Sequence, residues 1–592
     1  MVDFEIMQIP RKQIVFSLWL AGMCFWGAVI YSNTLHAPFV FDDIQFIIKN
    51  PTIRNITDGT LWNRVGYRQR FVAFLSFAFN YHLHGTTVAG YHWVNLAIHL
   101  ANSLLVVWLV LLLFGTVRIQ KDKTFEHRYA VALSSGWLFM SHPIQTQAVS
   151  YITQRFESLA ALFYLLSVCL YLKGRMTARG SPKNLGLLVL SAFSAFLGMF
   201  TKETVFTLPF SLILIEWLFF RPERAGAGKT RWVYVGIFFL LCTLAAPALL
   251  FNFSKTLSKY DLIGITSRRY LFTQFQVIIK YIQLLFLPLN QNVDYNLHLS
   301  SGLLDIPTLA SLASLLFILY VGFRLCRSYP LIGFGILWFF VTLSVTSSII
   351  PLPDMIFEHR LYIPSVGFVI ACCAGLFSFT NVKNIRGLVL CLACVVLVFS
   401  YLTYQRNVLW SDDVALWQDA VSKSPGNPRA YNNLGEAYRK KGNYQKAIYN
   451  YLMALRVNPG NPAITAQIYA NLGASFGNRG NNYGDYQKAI DYGLKAIKLN
   501  PKNSMTYNNL EYAYISIGDY EQALKYGKKA VKLDPQFDEA LNNLGAAYGD
   551  MGQYEKATEF FERALKANPN YEEARNNLIR ARSLIQKKST SI

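Results

Sequence analysis

Long apolar runs alternate with short polar segments over the first 405 residues. Eleven runs approach or exceed the length that crosses a hydrocarbon core of about 30 Å, and they fall at 14–33, 92–114, 129–148, 158–172, 184–200, 204–220, 232–252, 304–323, 329–349, 362–380 and 386–405. The first run has no small-residue cleavage site and further runs follow it, which indicates an anchor and not a removable signal peptide. The pattern predicts an all-α membrane domain of about eleven spans over residues 1–410.

Basic residues give this domain an orientation. They occupy every second segment between the runs, at Arg11/Lys12, Arg118–Arg128, Lys173–Lys183, Arg221–Arg231, Arg324/Arg327 and Lys383/Arg386. Such segments are expected in the cytoplasm, so everything after Gln405 is predicted on the opposite face. The segment Tyr270–Pro288 is apolar but carries Lys280 and would break the alternation, which favours an interfacial or re-entrant helix.

The pattern changes after residue 410. Prolines recur 34 residues apart with one gap of 42, at Pro425, Pro459, Pro501, Pro535 and Pro569. This is the tetratricopeptide period, and it predicts a superhelix of four repeats and a capping helix over residues 427–592, after a connecting helix at 411–426. Two short insertions, around Ile464–Gln467 and Asn481–Gly484, explain the long gap.

An Asn-Leu pair recurs once in each unit, and its asparagines are Asn433, Asn471, Asn509, Asn543 and Asn577. These side chains are predicted to face the inner groove, where an amide can donate to and accept from a peptide backbone. The alternative is that they satisfy neighbouring helices as part of the repeat pattern.

Composition narrows the class further. The 592 residues carry a formal charge of +22, but the charge is spread over both halves and no basic stripe with interleaved aromatic residues occurs, so nucleic acid is not an expected partner. All eight cysteines lie within or beside apolar runs, which implies neither a disulfide framework nor a zinc site.

Polar residues at the ends of spans are the candidates for chemistry, since ionisable groups there are costly and usually have a partner or a task. They form four clusters, which the predicted orientation places on the face that bears the repeats: Asp42, Asp43 and Arg70; His142, Arg155 and Glu157; Lys202 and Glu203; Glu358, His359, Arg360 and Tyr362. We interpret this shared face as one extracytoplasmic site.

The site suits displacement at an activated sugar carbon. Asp42 or Asp43 is the expected base, and Glu203 is expected to orient the acceptor or sugar. The donor's phosphate and sugar are assigned to Arg360, His359, Tyr362, Arg155, Glu157, His142, Lys202 and Arg70. Each cluster also has an alternative interpretation without catalysis: helix capping, a solvated loop, an ordinary ion pair or a headgroup contact. No cofactor is certain, although paired carboxylates can also bind a divalent metal.

These residues resemble a known family, the transmembrane and tetratricopeptide repeat-containing O-mannosyltransferases, which are built on the GT-C glycosyltransferase fold. The resemblance covers nearly the whole chain and rests on Phe41–Asp43, Leu75–Phe77, His142-Pro143, Lys202-Glu203, Arg360–Gly367 and the repeats. It implies a polyprenyl-phosphate sugar donor, inversion at the sugar and a Ser or Thr acceptor in a protein.

The chain departs from the family in two places. Ile144–Val149 lacks the carboxylate of the animal motif His-x-His-Thr-Glu-Ala-Val, and Phe71 follows Arg70 where proline is usual. The compact loops resemble bacterial members, which implies a bacterial inner membrane with the repeats in the periplasm.

Two other classes of function stay open. A membrane-anchored scaffold for envelope proteins would not need so many spans with convergent charged ends, and a transporter would favour charges at the midplane. Within the enzyme class, a lipid or polysaccharide acceptor is the alternative to a protein.

Overall fold

The computed structural model describes residues 11–54, 69–178, 181–220, 266–348, 351–352, 354–381, 384–457, 460–480 and 482–590. Within these ranges the chain is helical and no β-strand occurs, as the sequence predicts. Two compact units follow one another, Met1–Leu416 and Trp417–Ile592. We call them the membrane unit and the repeat unit.

The membrane unit contains thirteen described α-helices and the first turn of a fourteenth. They are α1 (Arg11–Ile30), α2 (Phe71–His84), α3 (Val88–Phe114), α4 (Arg128–Ser141), α5 (Thr146–Val149), α6 (Arg155–Met176), α7 (Pro182–Met199), α8 (Leu208–Phe219), α9 (Ser267–Phe286), α10 (Ile306–Ser328), α11 (Pro330–Leu343), α12 (Pro364–Phe379) and α13 (Ile385–Trp410), with α14 (Asp413–Lys423) running across the boundary between the units.

Six described segments are long and apolar enough to cross a membrane, namely Gln13–Thr34, Val88–Phe114, Ile152–Met176, Pro182–Met199, Ile306–Ser328 and Ile385–Trp410. Four other predicted runs form shorter helices of 12 to 16 residues, α4, α8, α11 and α12. At 1.5 Å per residue such helices reach about 18–24 Å, so any crossing would need the irregular backbone beside them. The run 232–252 lies outside the described residues, and the count of eleven stays a prediction.

The short helices end where the sequence interrupts them. Helix α4 stops at Ser141 because Pro143 follows, and the 3₁₀ turn Pro143–Gln145 begins there. Helices α11 and α12 approach closely at two glycines: a Cβ added at Gly335 would collide with the carbonyl oxygen of Gly367, and the reverse holds.

Helix α9 covers the segment that the sequence assigned to an interfacial or re-entrant position. Its buried residues recur every three or four positions along one face, while Arg268 and Arg269 at its start are exposed. Lys280 is half-buried. This one-sided burial suits a helix that covers the membrane unit instead of one that passes through its centre.

The repeat unit consists of four antiparallel helix pairs and one further helix: α15/α16 (Pro428–Lys440, Tyr444–Arg456), α17/α18 (Pro462–Arg479, Tyr483–Leu499), α19/α20 (Ser504–Ser516, Tyr520–Leu533), α21/α22 (Asp538–Asp550, Tyr554–Ala567) and α23 (Glu572–Thr590). Between the two helices of each pair a glycine adopts a positive φ, which only glycine tolerates without strain; at Gly442 it is 73°. The predicted insertions lengthen the second pair, whose helices have 18 and 17 residues against 13 each in the first.

Candidate functional site

The loop after α1 presents two aspartates in different environments. Phe41 adopts φ 53°, a left-handed conformation that is strained for a bulky residue. Asp42 is exposed, whereas Asp43 is fully buried at the start of the π-helix Ile44–Ile48. The loop therefore turns one carboxylate out and the other in.

Asp43 ties this loop to a second one. Its Oδ1 accepts a hydrogen bond from the Thr153 amide at 2.8 Å and its Oδ2 accepts one from the Val40 amide at 3.1 Å. Burial raises the pKa of Asp43 to about 7, although these amides act in the opposite direction. The Asp42 amide donates to the Tyr151 hydroxyl at 3.0 Å, so residues 151–153 hold both aspartates.

Arg155 is the centre of a buried polar network. Its Nε donates to Asn95 Oδ1 at 2.7 Å, and one terminal nitrogen donates to Asn80 Oδ1 at 2.8 Å and to the Tyr91 carbonyl at 3.0 Å. The other reaches the Ser76 carbonyl at 3.3 Å. With no exposed surface, Arg155 joins α2, α3 and α6 and does not face solvent.

Phe156, the next residue along α6, contacts the ion pair between Arg70 and Glu203, which is partly exposed to solvent. The Arg70 guanidinium lies 5.0 Å from the Phe156 ring and donates to both oxygens of Glu203, at 3.1 and 3.3 Å. About a third of each charged side chain is exposed. Burial acts to raise the pKa of Glu203, but Arg70 and Lys202 outweigh it and hold that pKa below its ordinary value.

Lys202 and Glu157 form a second ion pair at 2.6 Å, which is buried. His359 lies near this pair: burial and the positive charges of Lys202, Arg360 and Arg70 lower its pKa well below the ordinary value, so its ring is neutral. The His359 Nδ1 has no hydrogen-bond partner among the described residues. Its amide donates to Gln147 Oε1 at 2.8 Å, which is a position where the sequence lacks the family's carboxylate.

Residues 151–157 thus contact both parts of the site. Tyr151 and Thr153 hold the aspartate loop, while Phe156 and Glu157 hold Arg70 and Lys202. The structure therefore brings three of the four predicted clusters together directly and the fourth through His359.

Besides Arg155, which is enclosed, three further predicted donor-binding residues contact other groups of the protein. Arg360 donates to the carbonyls of Asp354 at 2.7 Å and Met355 at 3.3 Å. The Tyr362 hydroxyl bonds to His99 at 2.7 Å and Asn102 at 3.1 Å, within the helices. His142 Nε2 contacts the Leu285 carbonyl at 2.9 Å, and its Nδ1 accepts from the Ile144 amide. These contacts are those of residues that position loops and helices.

A polar segment that the sequence interpretation missed holds Glu358. Its carboxylate accepts from the Asn292 amide at 2.7 Å, from Gln291 at 2.8 Å and from the Tyr295 hydroxyl at 2.6 Å. Burial raises the pKa of Glu358, and Arg406 opposes that shift. The available signal was the polar run 290–296 between two apolar segments.

The five repeat asparagines share half-buried positions. Three of them donate to the first asparagine of the preceding unit: Asn471 to Asn432, Asn543 to Asn508 and Asn577 to Asn542, each at 3.0 Å. The residue at that acceptor position ahead of Asn509 is Ala470. Asn433 lies in the first unit and accepts from Asn432 at 3.4 Å.

Metal binding finds little support in the described ranges. No three His, Cys, Asp or Glu side chains there are placed to hold one ion together.

Comparison with known proteins covers both units. Tetratricopeptide repeat models match residues 428–461 and 538–571, and a further TPR repeat model matches 512–552. A solved structure, that of MamA, is 24% identical with a TM-score of 0.24 and covers 27% of this chain and 89% of that one.

Longer matches extend across the membrane unit as well. A protein O-mannosyl-transferase of Caenorhabditis elegans is 28% identical over 452 residues, covering 72% of this chain and 61% of that protein. One of Mus musculus is 23% identical over 520 residues, covering 78% and 52%. The matches thus span little more than half the length of these curated relatives. The chain is a relative of the transmembrane and tetratricopeptide repeat-containing protein O-mannosyltransferases.

Proposed function

We propose that this chain is a membrane glycosyltransferase that moves a mannose-like hexose from a polyprenyl-phosphate carrier to a Ser or Thr hydroxyl of a protein. The observation that carries the proposal is the single segment 151–157, which holds the loop of the exposed Asp42 and the buried Asp43 on one side and the Arg70 and Lys202 ion pairs on the other. A base and an anion site at neighbouring positions are what a displacement at an activated sugar requires.

Asp42 is the proposed base. It is exposed, whereas both oxygens of Asp43 accept backbone amides inside the protein. A base must reach the proton that it removes, and the Asp43 carboxylate is committed to holding the loop. The strained Phe41 backbone supports the same division, because it turns Asp42 outward.

The phosphate of the donor is proposed to lie against Arg70, Lys202 and the His359 Nδ1 edge. Arg70 is part-exposed and can exchange some of its contact with Glu203 for a phosphate oxygen. A neutral His359 with an unpartnered ring nitrogen can bond to a hydroxyl of the sugar. Arg360 acts indirectly in this scheme, by holding the loop at 354–355.

The proposed reaction is a single displacement. The acceptor oxygen forms a bond to the anomeric carbon as the bond from that carbon to the phosphate oxygen breaks. The electron pair leaves with the phosphate, whose charge Arg70 and Lys202 stabilise, and the acceptor proton passes to Asp42. Because one bond replaces the other from the opposite side, the configuration of the sugar inverts.

The acceptor is proposed to be a protein that the repeat unit binds, with the site and the repeats on the extracytoplasmic face of a bacterial inner membrane. An amide has two N–H donors and one carbonyl oxygen, so the bonds between repeats leave each asparagine capacity for a peptide backbone. The basic segments between spans support the orientation.

The test is transfer of radiolabelled mannose from polyprenyl-phosphate mannose to a Ser/Thr-rich protein by the purified chain in lipid nanodiscs. Asp42→Asn is expected to lower transfer about 100-fold or more, the usual scale for loss of a general base, with unchanged melting. Asp550→Asn, an exposed aspartate of the repeat unit, is the matched control. Full activity of Asp42→Asn would remove this residue from catalysis, and a wild type that neither binds the donor nor transfers the sugar would favour the scaffold function.

A further inference from the structure

A groove lies between α1, α4 and α13, away from the candidate site. Its volume is about 1450 Å³ and its walls are mainly apolar and aromatic, including Trp19, Trp26, Trp137 and Leu392. The three helices pack against one another, and Trp26 Nε1 donates to Ser400 at 2.9 Å near the inner end. The lining on α1 runs from Gln13 to Trp26, about 20 Å of helix, which exceeds the depth of one leaflet's hydrocarbon, about 15 Å.

One end of the groove is polar. Gln13, Arg128 and Val389 lie near the starts of their helices and all line the groove, so the three helices run in the same direction from this end. The exposed Arg386 is one turn before Val389 on α13. This polar end, which we call the mouth of the groove, therefore combines arginines with the positive ends of three helix dipoles.

Two aromatic rings and a backbone carbonyl hold the Arg128 guanidinium at this mouth. The guanidinium lies 4.5 Å from the Phe125 ring and 4.8 Å from the Tyr129 ring, and one terminal nitrogen donates to the Phe125 carbonyl at 3.0 Å. In the described part of the chain Arg128 has no carboxylate partner. The exposed Glu126 also lines the groove, and among the described residues of the lining no other is acidic.

The groove is not placed for the sugar donor. Asp42 follows the end of α1, whereas Gln13 and Arg128 mark the starts of α1 and α4. A lipid with its phosphate at Arg128 would have its headgroup on the side of the membrane away from the aspartate loop. Basic pockets between helices on the cytoplasmic side are suited to anionic headgroups.

We propose that this groove is a binding site for one anionic glycerophospholipid of the leaflet opposite the candidate site, which is the cytoplasmic leaflet in the proposed orientation. Arg128 binds its phosphate, and its acyl chains fill the space between α1, α4 and α13. The lipid completes the packing of α1 and α13, which lie at the two ends of the membrane unit's sequence.

The test uses the purified full chain, stripped of lipid in detergent and titrated with dioleoyl phosphatidylglycerol, with native mass spectrometry as the readout. The wild type is expected to bind one phospholipid. Arg128→Gln is expected to weaken binding about tenfold or more, the scale of a lost charge-assisted phosphate contact. Ala393→Trp, at an exposed residue lining the groove, is expected to expel the acyl chains without disturbing the core.

Two controls make the result decisive. Arg324→Gln removes an exposed arginine of α10 outside the groove and is expected to leave binding unchanged. Glu126→Gln is expected to strengthen binding, because it removes a negative charge at the mouth. Equal binding by the wild type, Arg128→Gln and Ala393→Trp would overturn the proposal, as would preferential binding of polyprenyl phosphate when both lipids are added together.

Discussion

Arg155 in the membrane unit and Glu511 in the repeat unit are both buried ionisable groups, but their surroundings are opposite. In the membrane unit, the guanidinium of Arg155 has four hydrogen-bond acceptors from two other helices, and Lys202 pairs with Glu157. In the repeat unit, Glu511 is fully buried and its carboxylate has no partner within the described ranges. Burying a charge is costly without a partner, so the first arrangement can keep its charges, and the second favours a protonated carboxyl group.

Glu511 is buried because of an exchange of residues within its own helix pair, whereas Arg155 is buried by residues that are distant in the sequence. Glu511 occupies the position of Gly435 and Gly545 in other repeats, where a Cβ would meet Tyr451 and Phe561; opposite Glu511 the helix carries Gly527 instead. The third repeat thus exchanges the large and small residues of one helix pair. The partners of Arg155 come from positions 60 to 79 residues away, which only the folded loops bring together.

The largest expected effect is on Arg155. Arg155→Met should destabilise the membrane unit by about 3–5 kcal/mol, because the buried oxygens of Asn80 and Asn95 would lose their donor. Thermal unfolding in detergent measures this, with the exposed Arg327→Met as the control. A loss below about 1 kcal/mol would mean that the network does not stabilise the unit.

Arg70 and Arg360 separate binding from positioning within the membrane unit. Arg70→Ala should weaken donor binding by about 1.5–3 kcal/mol, the cost of one charge-assisted contact to phosphate, with little change in melting. Arg360→Ala should chiefly lower the melting temperature, because it frees the carbonyls at 354 and 355. Calorimetric titration with the donor and thermal unfolding distinguish the two variants. Weaker donor binding by Arg360→Ala, with a lower melting temperature for Arg70→Ala, would indicate that Arg360 binds the phosphate.

Glu511 should make the repeat unit sensitive to pH. Burial raises its pKa well above 4.5, so as the pH rises above 4.5 the unfolded chain loses a proton that the folded chain keeps. The free energy of unfolding should therefore fall by about 1.4 kcal/mol per pH unit between pH 4.5 and the raised pKa of Glu511 in the folded state. Glu511→Gln, which cannot ionise, should lack this slope in denaturant melts followed by circular dichroism at pH 5 to 8. Parallel slopes in both proteins would show that Glu511 has a partner in solution.

The smallest effect concerns the repeat asparagines. Asn471→Ala, Asn543→Ala and Asn577→Ala should each cost about 0.5–1.5 kcal/mol, the net contribution of one hydrogen bond, whereas Asn509→Ala should cost less because Ala470 offers it no acceptor. Transfer to a protein and to a short peptide, measured alongside melting, tests the groove role. Equal loss of transfer to both acceptors would indicate that the asparagines only join repeats.

Much of the candidate site could be predicted from the sequence, because polar residues at the ends of apolar runs are rare and meet when the runs pack. Asp42, Asp43, Arg155, Glu157, Lys202 and Glu203 were predicted in this way, and residues 151–157 contact or include all of these except Glu203, which pairs with Arg70. The roles within the set were less accessible. Nothing in the order Asp42-Asp43 indicates which carboxylate is turned outward; that depends on the amides of Val40 and Thr153. The partners of Glu358 were missed because Gln291 and Asn292 are uncharged.

The sequence by itself determined the two-part organisation, the four repeats with their capping helix and the places of the charged residues between apolar runs. Those features follow from short periods: an apolar run has to match the bilayer, and a 34-residue repeat has to bury its own two helices. Only the tertiary structure decided that Arg70 is open while Arg155 is enclosed, and that Arg360 and His142 hold backbone instead of facing the site. Burial depends on contacts between residues far apart in the chain, and neither composition nor period specifies which of two similar side chains has neighbours on all sides.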